Sequence, residues 1–137
     1  MTTEDVTWLA GWLEGEGYFG VCKGTPVLAV NSTDLDIVQR AATLMNNCEV
    51  RLCKLKNTKW KPQHRIQIYS RRALDAMKLV RPYMGLRRGL AIDRVFRYCE
   101  EREVKRIQRA TSTIERRNNK LTITRDGSGK FAKAKGR

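Results

Sequence analysis

The sequence predicts an α+β domain with elements in the order αββαββα, followed by a basic C-terminal extension. Two periodicities predict this fold: apolar residues recur at helical spacing in the helical segments, and they alternate with polar residues in four short runs between them. A chain of 137 residues is long enough for one core of ordinary domain size. We therefore expect a single domain at residues 1–117, with its core at about 4–100, and a flexible basic tail at 118–137.

The first predicted elements are a helix and a β-hairpin. The helix is expected at about residues 4–14, because glycines follow it, and three residues can cap its start: Thr2, Thr3 or Asp5. Two short strands, Tyr18–Cys22 and Val27–Asn31, then flank a turn at 23–26 that contains Gly and Pro. The apolar residues of the hairpin share one face, namely Phe19, Val21, Leu28 and Val30.

A second helix and two further strands follow. Ser32 or Thr33 can cap the helix, whose apolar residues recur at helical spacing until Asn46. The strands are expected at Glu49–Lys56 and His64–Tyr69, joined by a polar loop. The second strand alternates apolar with polar residues, so one of its faces can enter a core while the other stays polar.

Two helices complete the predicted order. Ser70 can cap a helix that continues through Arg81 and stops at a proline. A longer helix begins near Leu86, and its apolar positions give way to charged residues after Glu100.

Charge indicates a polyanionic partner. The net charge is +14, and it is uneven: residues 1–50 carry 2 basic and 7 acidic groups, residues 51–100 carry 14 and 3, and residues 101–137 carry 12 and 4. Such an excess of positive charge favours nucleic acid as the ligand. The acidic first segment is the exception. Carboxylates near nucleic-acid phosphates are expected where a divalent cation lies between them.

Membrane insertion and secretion are not predicted. No run of about 18 apolar residues occurs, and the first residues lack the basic segment of an import signal. We expect an intracellular protein with no membrane partner, acting in the compartment where it is made. Its four cysteines lack zinc-ligand spacing, so reduced thiols are expected.

The segment Leu9–Gly17, with the sequence LAGWLEGEG, has features that ordinary helix ends do not explain. Gly11 and Gly15 are four residues apart on one face, where small residues let a second helix approach closely. Helix termination would account for Gly15 but not for Gly11. A chain with one such helix can obtain the second from another copy, which predicts a two-fold dimer. Its axis would bring two Glu16 carboxylates together, and divalent cations would relieve their repulsion.

This segment resembles the nine-residue motif of the LAGLIDADG homing endonucleases, and the resemblance covers roughly residues 4–100. It implies the single-motif, homodimeric type of that family, with a curved four-stranded antiparallel sheet and helices on one face. It also implies a Mg²⁺-dependent DNA endonuclease, with Mn²⁺ or Ca²⁺ as possible occupants of the same site. Carried over by position, Glu16 binds the metal through its side chain and Gly15 through its carbonyl. Glu14 is a structural residue that caps or braces the partner helix.

The resemblance implies two further site positions. A basic residue, usually lysine, follows a Pro-aromatic segment in the family and reaches the catalytic water. Here that position is Arg87, and the neighbouring Arg88 is an almost equal candidate; either could instead contact phosphate. Arginine can orient water but is a poor proton donor or acceptor. A Gln at the end of the second strand corresponds to Ser32, for which a helix-capping role is favoured.

Duplex DNA is expected to lie on the polar face of the sheet, where a β-surface can read the major groove. The predicted DNA-binding residues are Lys23, Asn31, Arg51, Lys54, Lys59, Lys61, Arg65, Gln67, Tyr69 and Arg88. The predicted dimer interface consists of Leu9, Gly11, Trp12 and Gly15. The basic residues after position 100 either add phosphate contacts or form an exposed charged helix that contacts nothing.

These observations predict a homing endonuclease that cuts a long, near-palindromic DNA site, in keeping with intron or intein mobility. The alternative is a non-cleaving protein of the same fold, either an intron maturase that binds RNA or a DNA-binding regulator. A structural RNA binder is a third class. Retention of both acids in the motif favours the nuclease.

Overall fold

The computed structural model describes residues 1–53, 61–121, 123–125 and 131–133, and it describes side chains for 1–53 and 61–119. The chain divides into two compact units, residues 1–98 and 99–137. The elements of the first unit are α1 (Thr3–Glu16), β1 (Tyr18–Cys22), β2 (Thr25–Ser32), α2 (Leu35–Leu44), β3 (Val50–Cys53), β4 (Gln63–Tyr69), α3 (Ser70–Val80) and a 3₁₀ turn (Arg81–Tyr83). A last helix, α4 (Leu86–Leu121), begins in the first unit and continues into the second.

The four strands form one curved, open antiparallel sheet in the order β1-β2-β4-β3. The predicted α+β fold with a four-stranded antiparallel sheet is therefore confirmed. The first hairpin is tighter than expected. Cys22 pairs directly with Thr25, and the two residues between them have positive φ angles, 47° at Lys23 and 78° at Gly24. This is the geometry of a two-residue type I′ turn, so Pro26 belongs to β2 rather than to the turn.

Helices α1, α2 and α3 contact the sheet through its apolar face. Across β2 and β4, Leu28 pairs with Ile68 and Val30 pairs with Ile66, and neither Leu28 nor Ile66 is exposed to solvent. Helix residues that are also fully buried oppose them: Leu9, Leu13, Val38, Met77 and Val80. Each such aliphatic side chain contributes about 1.5–3 kcal/mol when it is removed from water. The core thus fixes α1 against one face of the sheet, and the polar residues of β4 lie on the other face beside the buried Val27 and Ala29 of β2.

Two helix starts differ from the sequence prediction. The N-cap residue of α2 is Asp34, and the Ser32 hydroxyl accepts a hydrogen bond from the backbone N–H of Asp34 at 3.2 Å. The prediction that Ser32 or Thr33 caps α2 is therefore wrong: Ser32 lies two residues before the cap and accepts a hydrogen bond from its N–H instead. Ser70 is the first residue of α3 and not its cap, and its φ is 53°. Tyr69 occupies the N-cap position without a side-chain bond, so the strand passes directly into the helix.

The second unit contains the rest of α4 and two short antiparallel strands, β5 (Ile123–Arg125) and β6 (Phe131–Lys133). These strands lie in the segment for which the sequence predicts a flexible tail. Both carry residues of good strand propensity, such as isoleucine, threonine and phenylalanine. Among the helices of the described residues, none is both long and apolar enough to cross a membrane. The four cysteines are free thiols, and burial raises the pKa of Cys48.

Candidate active site and nucleic-acid interface

The C-terminal end of α1 places Glu16 in an exposed position. The helix stops because Gly17 is extended, with φ −70° and ψ 141°, while its N–H still donates to the Leu13 carbonyl at 2.9 Å. A Cβ at Gly17 would lie 2.5 Å from that carbonyl oxygen, so only glycine fits. Glu16 is consequently the last helical residue, directly before β1 begins.

Glu16 lines a cleft of about 500 Å³ together with residues of three strands. The other lining residues are Tyr18, Ala29, Val30, Asn31, Gln63 and Arg65. Asn31 pairs with Arg65 across β2 and β4, so both side chains lie on the polar face of the sheet. A carboxylate at the helix end thus faces amide and guanidinium donors from the sheet. This arrangement suits a phosphate held between an acid-bound cation and neutral or cationic donors.

One N–H donor of Arg65 has no hydrogen-bond partner in the described part of the chain. Its Nε atom is buried and, among the described residues, has no hydrogen-bond partner. A buried guanidinium N–H without a partner costs free energy.

Gln63 was not predicted as a site residue. The sequence-based strand began at His64, which left Gln63 in a loop, whereas β4 begins at Gln63 and pairs it with Cys53. Gln63 is two residues from Arg65 and therefore shares its face. The alternation Gln63, Arg65, Gln67 and Tyr69 was the signal that extends the strand by one residue.

Arg88 and Glu14 link the end of α1 to the start of α4. Arg88 donates from Nε to the Glu14 carbonyl at 2.9 Å and from Nη2 to the Gly15 carbonyl at 2.8 Å. In return, a carboxylate oxygen of Glu14 accepts the backbone N–H of Gly85 at 3.0 Å, just before α4. The cation satisfies the negative end of one helix and the carboxylate satisfies the positive end of the other. We call these three hydrogen bonds the α1–α4 clasp.

The clasp bears on two sequence-based assignments. Glu14 braces α4 of its own chain, and its expected role against a partner helix stays a prediction. Arg88, not Arg87, reaches the end of α1, while Arg87 is exposed. The two arginines point differently because α4 turns by about 100° per residue. The catalytic role predicted for Arg87 therefore lacks a contact with the motif.

The donors at the α1 end fit a hard divalent cation in part. Glu16 offers a free carboxylate, and the Gly15 carbonyl keeps one lone pair after accepting from Arg88. Among the described residues, no group of three acidic, histidine or cysteine side chains could hold a metal ion. One protomer thus supplies one carboxylate and one carbonyl. Mg²⁺ is often bound through one or two carboxylates, with waters and substrate phosphates as the other ligands.

The polar sheet face brings together most of the predicted DNA-binding residues. The strand register puts Asn31, Arg51, Arg65, Gln67 and Tyr69 on one side of the sheet. Lys23 lies in the β1–β2 turn, and Lys61 is exposed just before β4. Lys54 and Lys59 lie outside the described residues. Arg88 lies in the α1–α4 clasp rather than on this face.

Arg51 carries an intramolecular partner on this face. Its guanidinium donates to a Glu49 carboxylate oxygen at 2.7 and 2.9 Å, and both side chains are largely exposed. The bond to Arg51 lowers the pKa of Glu49. The Glu49 carboxylate thus engages Nε and Nη2 of Arg51, and a guanidinium has five N–H donors, so a phosphate can bind Arg51 beside Glu49.

The exposed face of α1 shows why its glycines are unusual. A Cβ at Gly11 or at Gly15 would meet nothing within 4 Å, so no neighbour inside the protomer requires glycine there. Beside them Trp8 and Trp12 stack with ring centroids 6.1 Å apart, and Arg40 lies 4.0 Å above the Trp8 ring. Leu9 points the other way and has no exposed surface. Its assignment to the dimer interface is wrong for this protomer, because it is part of the core.

Comparison with solved structures identifies the fold. No family model matches the sequence, and no curated protein matches it either. The homing endonuclease I-CvuI with an I-CreI target and 2 mM Mg, described with its DNA not cleaved, is similar at 18% identity and a TM-score of 0.51. The same enzyme with its own target and 2 mM Ca is similar at 17% identity and a TM-score of 0.50. Each similarity covers 66% of this chain and 64% of the other. A second homing endonuclease, I-TnaI, gives 17% identity and a TM-score of 0.48 over 67% of this chain and 69% of that one.

The chain therefore has the α+β fold of the LAGLIDADG homing endonucleases. The segment Leu9–Gly17, which resembles the family motif, forms α1 and the turn that ends it.

Proposed function

We propose that this chain is a divalent-metal-dependent DNA endonuclease that acts as a homodimer, with Glu16 as the metal-binding carboxylate. The observation that carries the proposal is the cleft at the α1 end. There Glu16 faces the polar sheet residues Asn31, Gln63 and Arg65. The two I-CvuI structures named above are complexes with DNA targets in the presence of Mg or Ca, which agrees with this assignment.

Each residue of the cleft has a distinct part in the proposed reaction. Glu16, with the Gly15 carbonyl, would hold the cation, and Arg88 keeps that carbonyl oriented through its 2.8 Å bond. When bound, Mg²⁺ would stabilise negative charge on the scissile phosphate and favour attack by water. Arg65, which lines the cleft, would contribute its positive charge to binding the DNA phosphates.

The dimer supplies what one protomer lacks. Gly11 and Gly15 leave open space on the exposed face of α1, which a second α1 can fill. Trp12, half-buried beside them, would add aromatic area to that contact. Two-fold pairing would bring two Glu16 carboxylates to one axis and two sheets to one duplex. A near-palindromic target and cuts in both strands follow from the symmetry.

The test uses Glu16→Gln, with Glu4→Gln as the matched control, since Glu4 is an exposed acid in the first turn of the same helix. With Mg²⁺ and a library of randomised duplexes, the wild type and the control are expected to cut both strands of a selected site. Glu16→Gln should bind that site and leave it intact. Undiminished cutting by Glu16→Gln would refute the active site. Binding without cutting by all three proteins would instead leave a nucleic-acid-binding protein of the same fold.

The oligomeric state of the same three proteins can also be measured. Sedimentation at micromolar concentration without DNA should give a dimer for all three proteins, because neither substitution lies between the glycines. A monomer would contradict the proposed α1 interface in the free protein.

A further inference from the structure

The described part of α4 in the second unit has a strict separation of charge. Between residues 99 and 119 the helix carries six basic and four acidic side chains, all exposed. At about 100° per residue, every basic side chain falls within an arc of about 120°. These residues are Arg102, Lys105, Arg106, Arg109, Arg116 and Arg117. We call this arc the basic face of α4.

The acids of this segment all lie outside that arc. Glu100, Glu101, Glu103 and Glu115 are each about 40° or more from the nearest edge of the basic face. A helix that needs charge only for solubility gains from mixed signs and from ion pairs three or four residues apart. Arg106 forms an ion pair of this kind with Glu103 at 2.7 Å. The positions of the charged residues nevertheless separate the two signs and give the helix a positive strip on one side.

We propose that the basic face of α4 binds the sugar-phosphate backbone of duplex DNA, without reading its sequence. The choice of DNA rests on the proposed function above. Arg102 and Arg117 are 15 residues apart, so the strip is about 22 Å long. A strip of that length exceeds the width of the major groove, about 12 Å, and can reach phosphates on both of its edges. Bonds to phosphate position a protein but carry no base information.

The opposite side of the segment argues against a membrane surface. It presents Val104, Ile107 and Ile114, each between 52% and 58% exposed, with Thr111 among them. Helices that lie on lipid carry Trp, Phe or Leu on the apolar side. None of these three residue types occurs between positions 99 and 119. Three β-branched side chains bordered by Glu100 and Glu103 give a weak apolar side for lipid.

The experiment compares two double variants that lose the same charge. Arg109→Gln with Arg116→Gln removes two residues from the middle of the basic face and keeps good helix formers. Arg71→Gln with Lys78→Gln removes two exposed cations from α3, which packs on the apolar face of the sheet. The measured quantity is the affinity for a duplex of random sequence over a range of salt concentrations. Circular dichroism checks that both variants keep their helix content.

The α4 variant should lower the slope of log affinity against log salt by about 1.8, since each phosphate contact contributes about 0.9. That change corresponds to roughly 60-fold weaker binding at 0.1 M salt. The α3 variant should keep the wild-type slope. An unchanged slope for the α4 variant, or an equal fall for both variants, would overturn the proposal. So would tighter binding of the wild type to a hairpin RNA or to phosphatidylserine vesicles than to the duplex.

This test is separable from the test of nuclease activity. If the wild type cuts its site while the α4 variant keeps the wild-type slope, the inference fails and the proposed function stands. If the slope falls as expected but no preparation cuts DNA, the basic face binds DNA and the nuclease assignment fails.

Discussion

The two ends of α1 satisfy their free backbone groups in opposite ways. At the N-terminus, Thr2 and Asp5 form a reciprocal capping box: the Thr2 hydroxyl accepts from the Asp5 N–H at 3.2 Å, and the Asp5 carboxylate accepts from the Thr2 N–H at 3.0 Å. At the C-terminus, the carbonyls of Glu14 and Gly15 are bound by Arg88, a residue more than seventy positions away in sequence. The N-terminus of α1 is capped by residues that are adjacent in sequence. The C-terminus, which carries the candidate active site, is bound by a residue that only the folded chain brings close.

The largest effect is expected from closing the space at Gly17. In Gly17→Ala the new Cβ would meet the Leu13 carbonyl oxygen at 2.5 Å, so the helix end must move. We expect a loss of about 1–3 kcal/mol in the free energy of unfolding, measured by denaturant titration. Cleavage should fall as well, because Glu16 is the preceding residue. A variant with wild-type stability would show that the C-terminal end of α1 tolerates rearrangement.

Arg88→Gln is expected to have an intermediate effect. It removes the two charge-assisted bonds to the α1 carbonyls but leaves the Glu14 bond to Gly85. Because Arg88 is partly exposed, we expect a loss of about 1–2 kcal/mol in unfolding free energy. Arg87→Gln is the matched control, since that neighbour is exposed, and it should retain wild-type stability. Equal losses in both variants would mean that the clasp does not hold the α1 end.

Thr2→Ala is expected to have the smallest effect, about 0.5–1 kcal/mol, since it removes one capping hydroxyl. The bonds from Thr2 lower the pKa of Asp5, so the Asp5 contribution is present above its unfolded pKa. It is lost as the pH falls through the lower folded pKa. Denaturant midpoints of wild type and Asp5→Ala should therefore differ near neutral pH and approach each other in acid, whereas Thr2→Ala retains the backbone N–H bond to Asp5 and should retain most of this pH dependence. A constant difference across that range would remove Asp5 from the explanation.

The contrast between the two ends also shows what the sequence could predict. The capping residue at the start of α1 was among three candidates within four positions, and the glycine stop was visible as a motif. The partner of the other end was narrowed to Arg87 or Arg88, because both follow the same Pro-aromatic segment. The choice between them depends on the 3₁₀ turn Arg81–Tyr83 and on the phase at which α4 starts. Neither the turn nor the helical phase can be derived from a single local sequence pattern.

The sheet, too, was predicted correctly in part: the faces of its strands were right, and one strand boundary was not. Alternation placed Asn31, Arg65 and Gln67 on one face correctly, because a strand has only two faces. Gln63 was missed because the strand boundary was set one residue too late. Leu9 was assigned to the interface because it belongs to the motif, although its helical phase turns it into the core.

The open space beside Gly11 affects both the stability of the protomer and the approach of a second helix. In the isolated protomer nothing within 4 Å of a Cβ would oppose alanine, which is a better helix former by up to about 1 kcal/mol. A partner helix that approaches to backbone distance would exclude the same methyl group. Selection for protomer stability and selection for close helix contact would therefore choose different residues at position 11. Glycine is the residue that close helix contact would select.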